Sequence, residues 1–353
     1  MSQPEGFQLN RGYNPILTDL AQGMLSNLRV GYIADKLYPN IPVGVSTGQY
    51  VKWNRGDFMR RNAKKMIGNE AVPLGGFGSG SGTFKVDRFG LGTDWSSQNL
   101  ADARRGGTSY AAFMRGKREF VITGPLLELE IVTATLTQTT GNWTKTAAGV
   151  SSGPTGTQFL QWDQAASDPV ANMDTWKKLF RDTVGINPNT FVMSEEVYLA
   201  SRKNANLIDR IKYSGTQERP TQVTVDQMKG LFEIDNVLIP QARYNSANEG
   251  AADVLSPVWS QTCWLGYVAP NPTPDLPSAG YRFSWNGDTS MGVPDNATGI
   301  GPANFNSVLS PEGLFMRQFQ LLRPNVEVME AELFTTPNVV AADLGMTLTA
   351  VIA

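Results

Sequence analysis

The stretch PNTFVMSEEVYLASRKNANLIDRIKY, residues 188–213, constrains the fold most, because an apolar run of strand length passes directly into a helix start. Thr190, Phe191, Val192 and Met193 suit a buried strand. Ser194 stands where a hydroxyl accepts a bond from an orphan N–H of a first helical turn. Glu195 and Glu196 then place carboxylates where the helix dipole favours negative charge. A helix over residues 195–203 follows, and residues 204–213 turn from polar to apolar, with Asp209 and Arg210 adjacent.

The neighbouring segments repeat this alternation. Asp168-Pro169 reads as a cap followed by a first-turn proline. Behind it Met173, Trp176, Leu179, Phe180 and Val184 share one helical face, and Gly185 stops the helix. Thr224 and Gln227 fit a capping box ahead of Val225, Met228, Leu231 and Phe232. With short apolar strands at 237–239 and 262–268, residues 168–268 predict a compact α/β layer.

A strand-to-helix step can seat an active site, but the composition argues against one here. The 353 residues contain no histidine, which removes the usual metal ligand and the commonest general base. A single cysteine, Cys263, excludes an intrachain disulfide and any multi-cysteine zinc site, and in TCWLGYV it reads as a buried thiol. A net charge of −2 does not fit a bulk surface built to grip nucleic acid. It also leaves little self-repulsion to oppose packing copies side by side. The N-terminus MSQPEGFQLNRG is no signal peptide, and no uninterrupted apolar run approaches the roughly 18 residues of a membrane span. A protein cytosolic where it is made is expected.

Outside the α/β layer the chain is less regular. Ile16, Leu17, Leu20, Met24 and Leu28 recur at helical spacing, and Pro39 and Pro42 in YPNIPV forbid continuation. This reads as an arm whose apolar side packs on its own core or on a neighbour. Residues 48–54 and 82–89 alternate like strands around the glycine-rich LGGFGSGSG, which predicts a hairpin with an extension that only an outside contact would order. Pro125 predicts the first turn of a helix over 125–136, with Glu128 and Glu130 near its start, although Ile131, Val132 and Thr133 suit a strand equally. Residues 139–156 read as a loop, 271–311 as loop-rich, and 315–322, 326–334 and 344–352 as strands.

No motif carries chemistry. Gly44-Val45-Ser46-Thr47-Gly48 matches a hydrolase elbow, but no histidine exists to activate Ser46, and a strand follows instead of a helix. The glycine cluster lacks the ending of a phosphate-binding loop. Lys52, Arg55, Arg60, Arg61, Lys64 and Lys65 face one acid, Asp57, with Trp53 and Phe58 interleaved. That pattern fits a nucleic-acid stripe, a solvated hairpin face, or a contact for an acidic patch on a neighbouring copy. Neither catalytic residues nor a cofactor nor a metal site is expected.

Three collinear stretches, a little over a quarter of the chain, resemble the major capsid proteins of tailed bacteriophages. They are IADKLYPNIPV (33–43), the run from DTWKKLF through the opening stretch (174–213), and residues 224–268 with Tyr244, Asn245, Trp259 and Leu265. The resemblance implies an α+β, Hong Kong 97-like capsid fold. Its parts would be an N-terminal arm (1–46), an extended hairpin loop (47–93), a peripheral domain with a spine helix (94–165), an axial domain (166–317) and returning peripheral strands (318–353). It implies self-assembly through pentamers and hexamers into an icosahedral head shell around double-stranded DNA, in the virion after assembly in the host cytoplasm. Expected partners are further copies, a separate scaffolding protein, a portal protein, a decoration protein, and packaged DNA contacted weakly and without sequence specificity. Candidate inter-subunit contacts are Arg60, Arg61, Lys64, Lys65, Glu128 and Glu130. The alternatives are an encapsulin-like nanocompartment shell and, against the missing histidine, a soluble α/β enzyme.

Overall fold

A computed structural model describes residues 8–9, 31–53, 55–63, 65–66, 70–105, 110–213, 223–273, 276–285, 312–322 and 325–353. The expected amphipathic segment from Ile16 to Leu28, Lys64, and most of the 271–311 loop lie outside them. From the N-terminus come β1 (Gln8–Leu9), α1 (Ala34–Leu37), β2 (Asn40–Val43), β3 (Thr47–Trp53), α2 (Arg55–Phe58), β4 (Ser79–Lys85), β5 (Arg88–Ser96), α3 (Ser97–Arg105) and α4 (Tyr110–Gln138). Next are β6 (Lys145–Val150), β7 (Phe159–Leu160), α5 (Pro169–Val184), β8 (Thr190–Val192), α6 (Glu195–Ser201), α7 (Ala205–Tyr213) and α8 (Val225–Phe232). The chain ends with β9 (Asn236–Leu238), β10 (Arg243–Asn245), β11 (Leu255–Pro257), β12 (Cys263–Gly266), β13 (Gly280–Trp285), β14 (Leu314–Leu322), β15 (Asn325–Val339) and β16 (Gly345–Thr349).

Local signals decide the α/β layer. The Asp168 carboxylate accepts from Val170 N and Ala171 N at 3.1 and 3.2 Å, Pro169 opens α5, and Gly185 closes it at φ 75°. Ser194 Oγ accepts from Val197 N to start α6. Both bonds of the Thr224–Gln227 capping box are made. Asn204 starts α7 by accepting from Asn206 N and Leu207 N, while its amide donates to Trp162 O and Ser167 Oγ. These helices pack on a sheet in the order β7-β6-β16-β12-β8-β9. Trp162, Trp176, Phe191 and Phe232 fill its core at centroid spacings of 6.0–6.4 Å, in the offset geometries that ring quadrupoles favour.

The second sheet runs β1-β14-β15-β13-β2, with β5 also on β15. The 15-residue β15 is long enough to pair with β5 as far as Phe334 and then with β13 from Thr335 onward along one edge. On β15, Met329, Ala331 and Leu333 alternate inward against Ile122, Leu126 and Leu129 of α4.

Three expectations need correction. Pro125 lies inside the 29-residue α4, not at its start. Gly124 before it has no Cβ to clash with the proline ring, and the same gap admits Leu91 of β5 within 3.4 Å of where a Cβ would stand. The supposed loop 139–156 contains β6. The divisions at 94–165 and 318–353 fail as well: β6 and β16 are adjacent parallel strands in the α/β sheet, while β13, placed in the axial division, pairs in the other sheet. Strand pairing between positions some 200 residues apart leaves no local trace.

At 1.5 Å per residue α4 is about 44 Å long, and it contacts strands of both sheets. Its N-terminal two-thirds packs on β5 and β15. Ala134 and Leu136 reach a third cluster with Tyr38, Trp143, Trp264 and Leu344. By length and hydropathy residues 112–138 could cross a membrane, but half of the most apolar window is buried within the protein, as in a core helix.

Candidate assembly surfaces

The β3–β4 hairpin leaves the body as a two-stranded ribbon in which Tyr50 opposes Gly82 and Phe84 opposes Gly48. Each ring lies across the glycine opposite: a Cβ at Gly82 would overlap the Tyr50 ring, and one at Gly48 would sit 2.9 Å from Phe84. Covering glycine with an aromatic ring pins the register of the ribbon. Both rings also pack on Phe283 of β13, at centroid distances of 5.5 Å for Tyr50 and 4.6 Å for Phe84. Asn338 Nδ2 donates to Thr83 O at 3.1 Å. The base of the hairpin is therefore fixed.

The far end is built differently. Asp57 in α2 accepts from Gly78 N at 2.9 Å and pairs with Arg60 at 3.1 Å. Phe58 and Phe77 meet at 5.5 Å, yet remain 63% and 60% exposed. Val51, Met59, Val72 and Leu74 are open too, so six of the thirteen large exposed apolar side chains among the described residues belong to this one excursion. Scattered apolar residues are ordinary on a surface, but such a concentration marks an interaction site.

The charged candidates divide. Arg60, Arg61 and Lys65 are exposed on the hairpin excursion, Arg60 already holding Asp57. Glu128 is exposed on α4. Glu130 is not a surface contact. It is fully buried, accepting from Ile33 N through both oxygens at 3.2 Å, from Ala34 N at 2.9 Å and from Trp259 Nε1 at 2.8 Å. Positions i and i+2 on a helix point about 200° apart, so Glu128 and Glu130 cannot share an outer face. Burial pushes the Glu130 carboxyl up, the indole and amide donors oppose the shift, and Asp35 adds to it. The sequence signal was an acid in an apolar helix. Its partners, about a hundred residues away, carried none.

Other conspicuous polar groups serve the subunit itself. Arg210 pairs with Asp168 at 2.7 Å and Arg243 with Glu195 at 3.2 Å. Arg282, 1% exposed, meets Asp35 at 2.9 Å. A concavity of about 180 Å³ between Asp174, Lys177, Arg181, Asn187, Pro188 and Glu233 is closed chemically. Lys177 donates to Phe232 O and Glu233 at 3.0 and 2.9 Å, and this partner holds the Glu233 carboxyl below its ordinary value. Cys263 is buried, which pushes its thiol far up. Ser46 lies in the bend between β2 and β3 with no helix behind it. Among the described residues no three metal-ligating side chains come together.

No protein-family model matches the chain. It is 25% identical over 280 residues to the major capsid protein of Burkholderia phage BcepMu, covering 78% of this chain and 84% of that protein. Its fold is similar to the crystal structure of a phage-related protein from Bordetella bronchiseptica RB50, with a TM-score of 0.65 at 20% identity over 97% of this chain and 99% of that one. It is also similar to the capsid structure of cyanophage P-SCSP1u, with a TM-score of 0.52 at 8% identity over 90% and 88% of the two chains.

Proposed function

We propose that this chain, which has the Hong Kong 97-like capsid fold, is the major capsid protein of a tailed bacteriophage and assembles in many copies into the icosahedral shell that encloses the genome. The observation that carries this reading is the likeness to a major capsid protein over most of both lengths. The mechanism is association. Apolar area is removed from water when the exposed hairpin end meets a neighbouring copy, and heterologous contacts that close only as rings and shells hold the copies together.

Finer parts of the reading rest on chemistry. Copies gather as pentamers and hexamers in the host cytoplasm with a separate scaffolding protein, and the finished shell carries a portal and a decoration protein. Packaged DNA is held weakly, because a chain of net charge −2 offers few phosphate contacts. Arg60, Arg61, Lys64 and Lys65 on the hairpin, and Glu128 on α4, pair with opposite charges on neighbours. Reversing the four basic residues should block assembly while the subunit keeps its circular dichroism spectrum. Normal shells from that variant at low salt would contradict the pairing.

Electron microscopy of the protein expressed with its neighbouring genes tests the whole reading. Polyhedral particles are expected, and a persistent monodisperse monomer would overturn it. Particles that enclose a cargo enzyme in place of DNA would identify a nanocompartment shell.

A further inference from the structure

The chain carries a second two-stranded ribbon, β10–β11, which neither large sheet takes in. Three residue pairs form it, Arg243 with Pro257, Tyr244 with Ser256 and Asn245 with Leu255. A hairpin this short is marginal in water by itself, and side chains hold this one. Asn245 Oδ1 accepts from Ala247 N at 3.1 Å and from Val254 N at 3.0 Å, while its amide donates to Asp253 at 2.8 Å. Ser246 N adds a bond to Val254 O at 2.8 Å. At the base, Val258 N donates to Ala242 O at 3.0 Å and Arg243 pairs with Glu195. The tip is thus shaped before it meets anything, which lowers the ordering cost of binding.

Residues 248–255 are all exposed. Val254 and Leu255 are 54% and 65% exposed, and consecutive residues of an extended chain point to opposite faces, so neither face of the ribbon is covered. Outside the β3–β4 excursion, no other two large exposed apolar side chains among the described residues are neighbours in sequence. The charge around them has one sign: Glu249 and Asp253 lie in the tip, and residues 244–257 contain no lysine or arginine. The β3–β4 end is the counterpart. Its Phe58, Leu74 and Phe77 are uncovered. With Arg60 held by Asp57, Arg61 and Lys65 stand exposed in the same excursion.

We infer that the β10–β11 ribbon of one copy docks on the basic, apolar end of the β3–β4 hairpin of a second copy. This rests on the shell reading above and names the surface that the hairpin end meets. Apolar area on both sides gives the contact its affinity. The opposed charges, Glu249 and Asp253 against Arg61 and Lys65, set its orientation and disfavour the pairing of like ends. Two different surfaces meet, so the contact is heterologous and passes from copy to copy until a ring or shell closes.

A charge swap tests the contact. Particle yield at low salt is measured by sedimentation and electron microscopy for the native chain and three variants. These are Arg61→Glu with Lys65→Glu, Glu249→Lys with Asp253→Lys, and all four changes together. Each double variant should lower the yield about tenfold or more, and the fourfold variant should recover most of it. At about 1 M salt, where charges are screened over about 3 Å, the double variants should move back toward the native yield. Native yield from the ribbon variant overturns the contact, as does a fourfold variant that recovers nothing. Recovery of the hairpin variant by Glu128→Lys, in place of the ribbon changes, assigns the hairpin end to α4 and overturns it too. Circular dichroism checks that each subunit folds. Should Asp253→Lys disturb the Asn245 bonds, Arg61→Glu and Glu249→Lys, singly and together, give the same comparison with one pair. If the native chain forms no particles, the shell reading and the contact fall together. Native particles without recovery in the swap leave that reading standing and remove only the contact.

Discussion

At the scale of single residues, Glu130 is an acid whose ionisation burial opposes. Because burial raises its pKa, the folded chain holds that proton more tightly than the unfolded chain does. Its contribution is most favourable below the ordinary value of 4.5 and is lost as pH rises through the raised value. The stability of the native subunit relative to Glu130→Gln should therefore fall as pH is taken from about 4.5 toward neutrality. Denaturant midpoints of both proteins across that range measure it, and a relative gain with rising pH would mean that the donors outweigh burial. Asp168 is the contrasting case, an acid that stabilises. Replacing it with alanine removes two cap bonds and the Arg210 pair and should lower subunit stability by about 1 kcal/mol. Equilibrium unfolding in urea would show it.

At the scale of elements, the β3–β4 hairpin is two devices in series. Its base is fixed by the aromatic–glycine pairs and Phe283, and its end is apolar and uncovered. Changes at the two ends should therefore differ. Serine at Phe58, Leu74 and Phe77 together removes surface that the subunit does not bury. The melting temperature should move by no more than about 2 °C, while particle formation is lost. Gly82→Val forces Tyr50 off its seat and should loosen the hairpin itself, seen as faster exchange of the β3 amides. Shells of normal yield from the triple serine variant would remove the hairpin end from the assembly surface. Helix α4 packs against both sheets: Val121, Ile122, Leu126 and Leu129 belong to the cluster with β15, and Ala134 to the third cluster with Trp143 and Trp264.

At the scale of the whole molecule, the shared helix and the interleaved strands make the two sheets one cooperative body. The chain crosses between them repeatedly, with β6 and β16 in one sheet and the intervening β13, β14 and β15 in the other. The dissociated subunit should melt in a single calorimetric transition, with equal calorimetric and van't Hoff enthalpies. Two resolved transitions would show that the sheets unfold separately.

How much of this was legible follows from the range over which each signal acts. The α5 cap and stop, the α6 start and the capping box were readable at Asp168, Gly185, Ser194, Thr224 and Gln227, because capping is decided within four residues. The missing histidine bears on function in the same direct way. Pro125 misled, because a proline in a first turn and a proline after glycine inside a long helix look alike until Leu91 is seen against Gly124. Glu130 misled for a related reason, since its role depends on two amides and an indole from remote segments. The sequence by itself determined the α/β alternation, the hairpin and a composition without histidine, all properties of short windows and composition. Only the tertiary structure decided which strands share a sheet, that one helix packs against both sheets, and that the acid expected on the surface is buried against Ile33, Ala34 and Trp259. Those depend on contacts between residues far apart in the chain, and no local propensity encodes them.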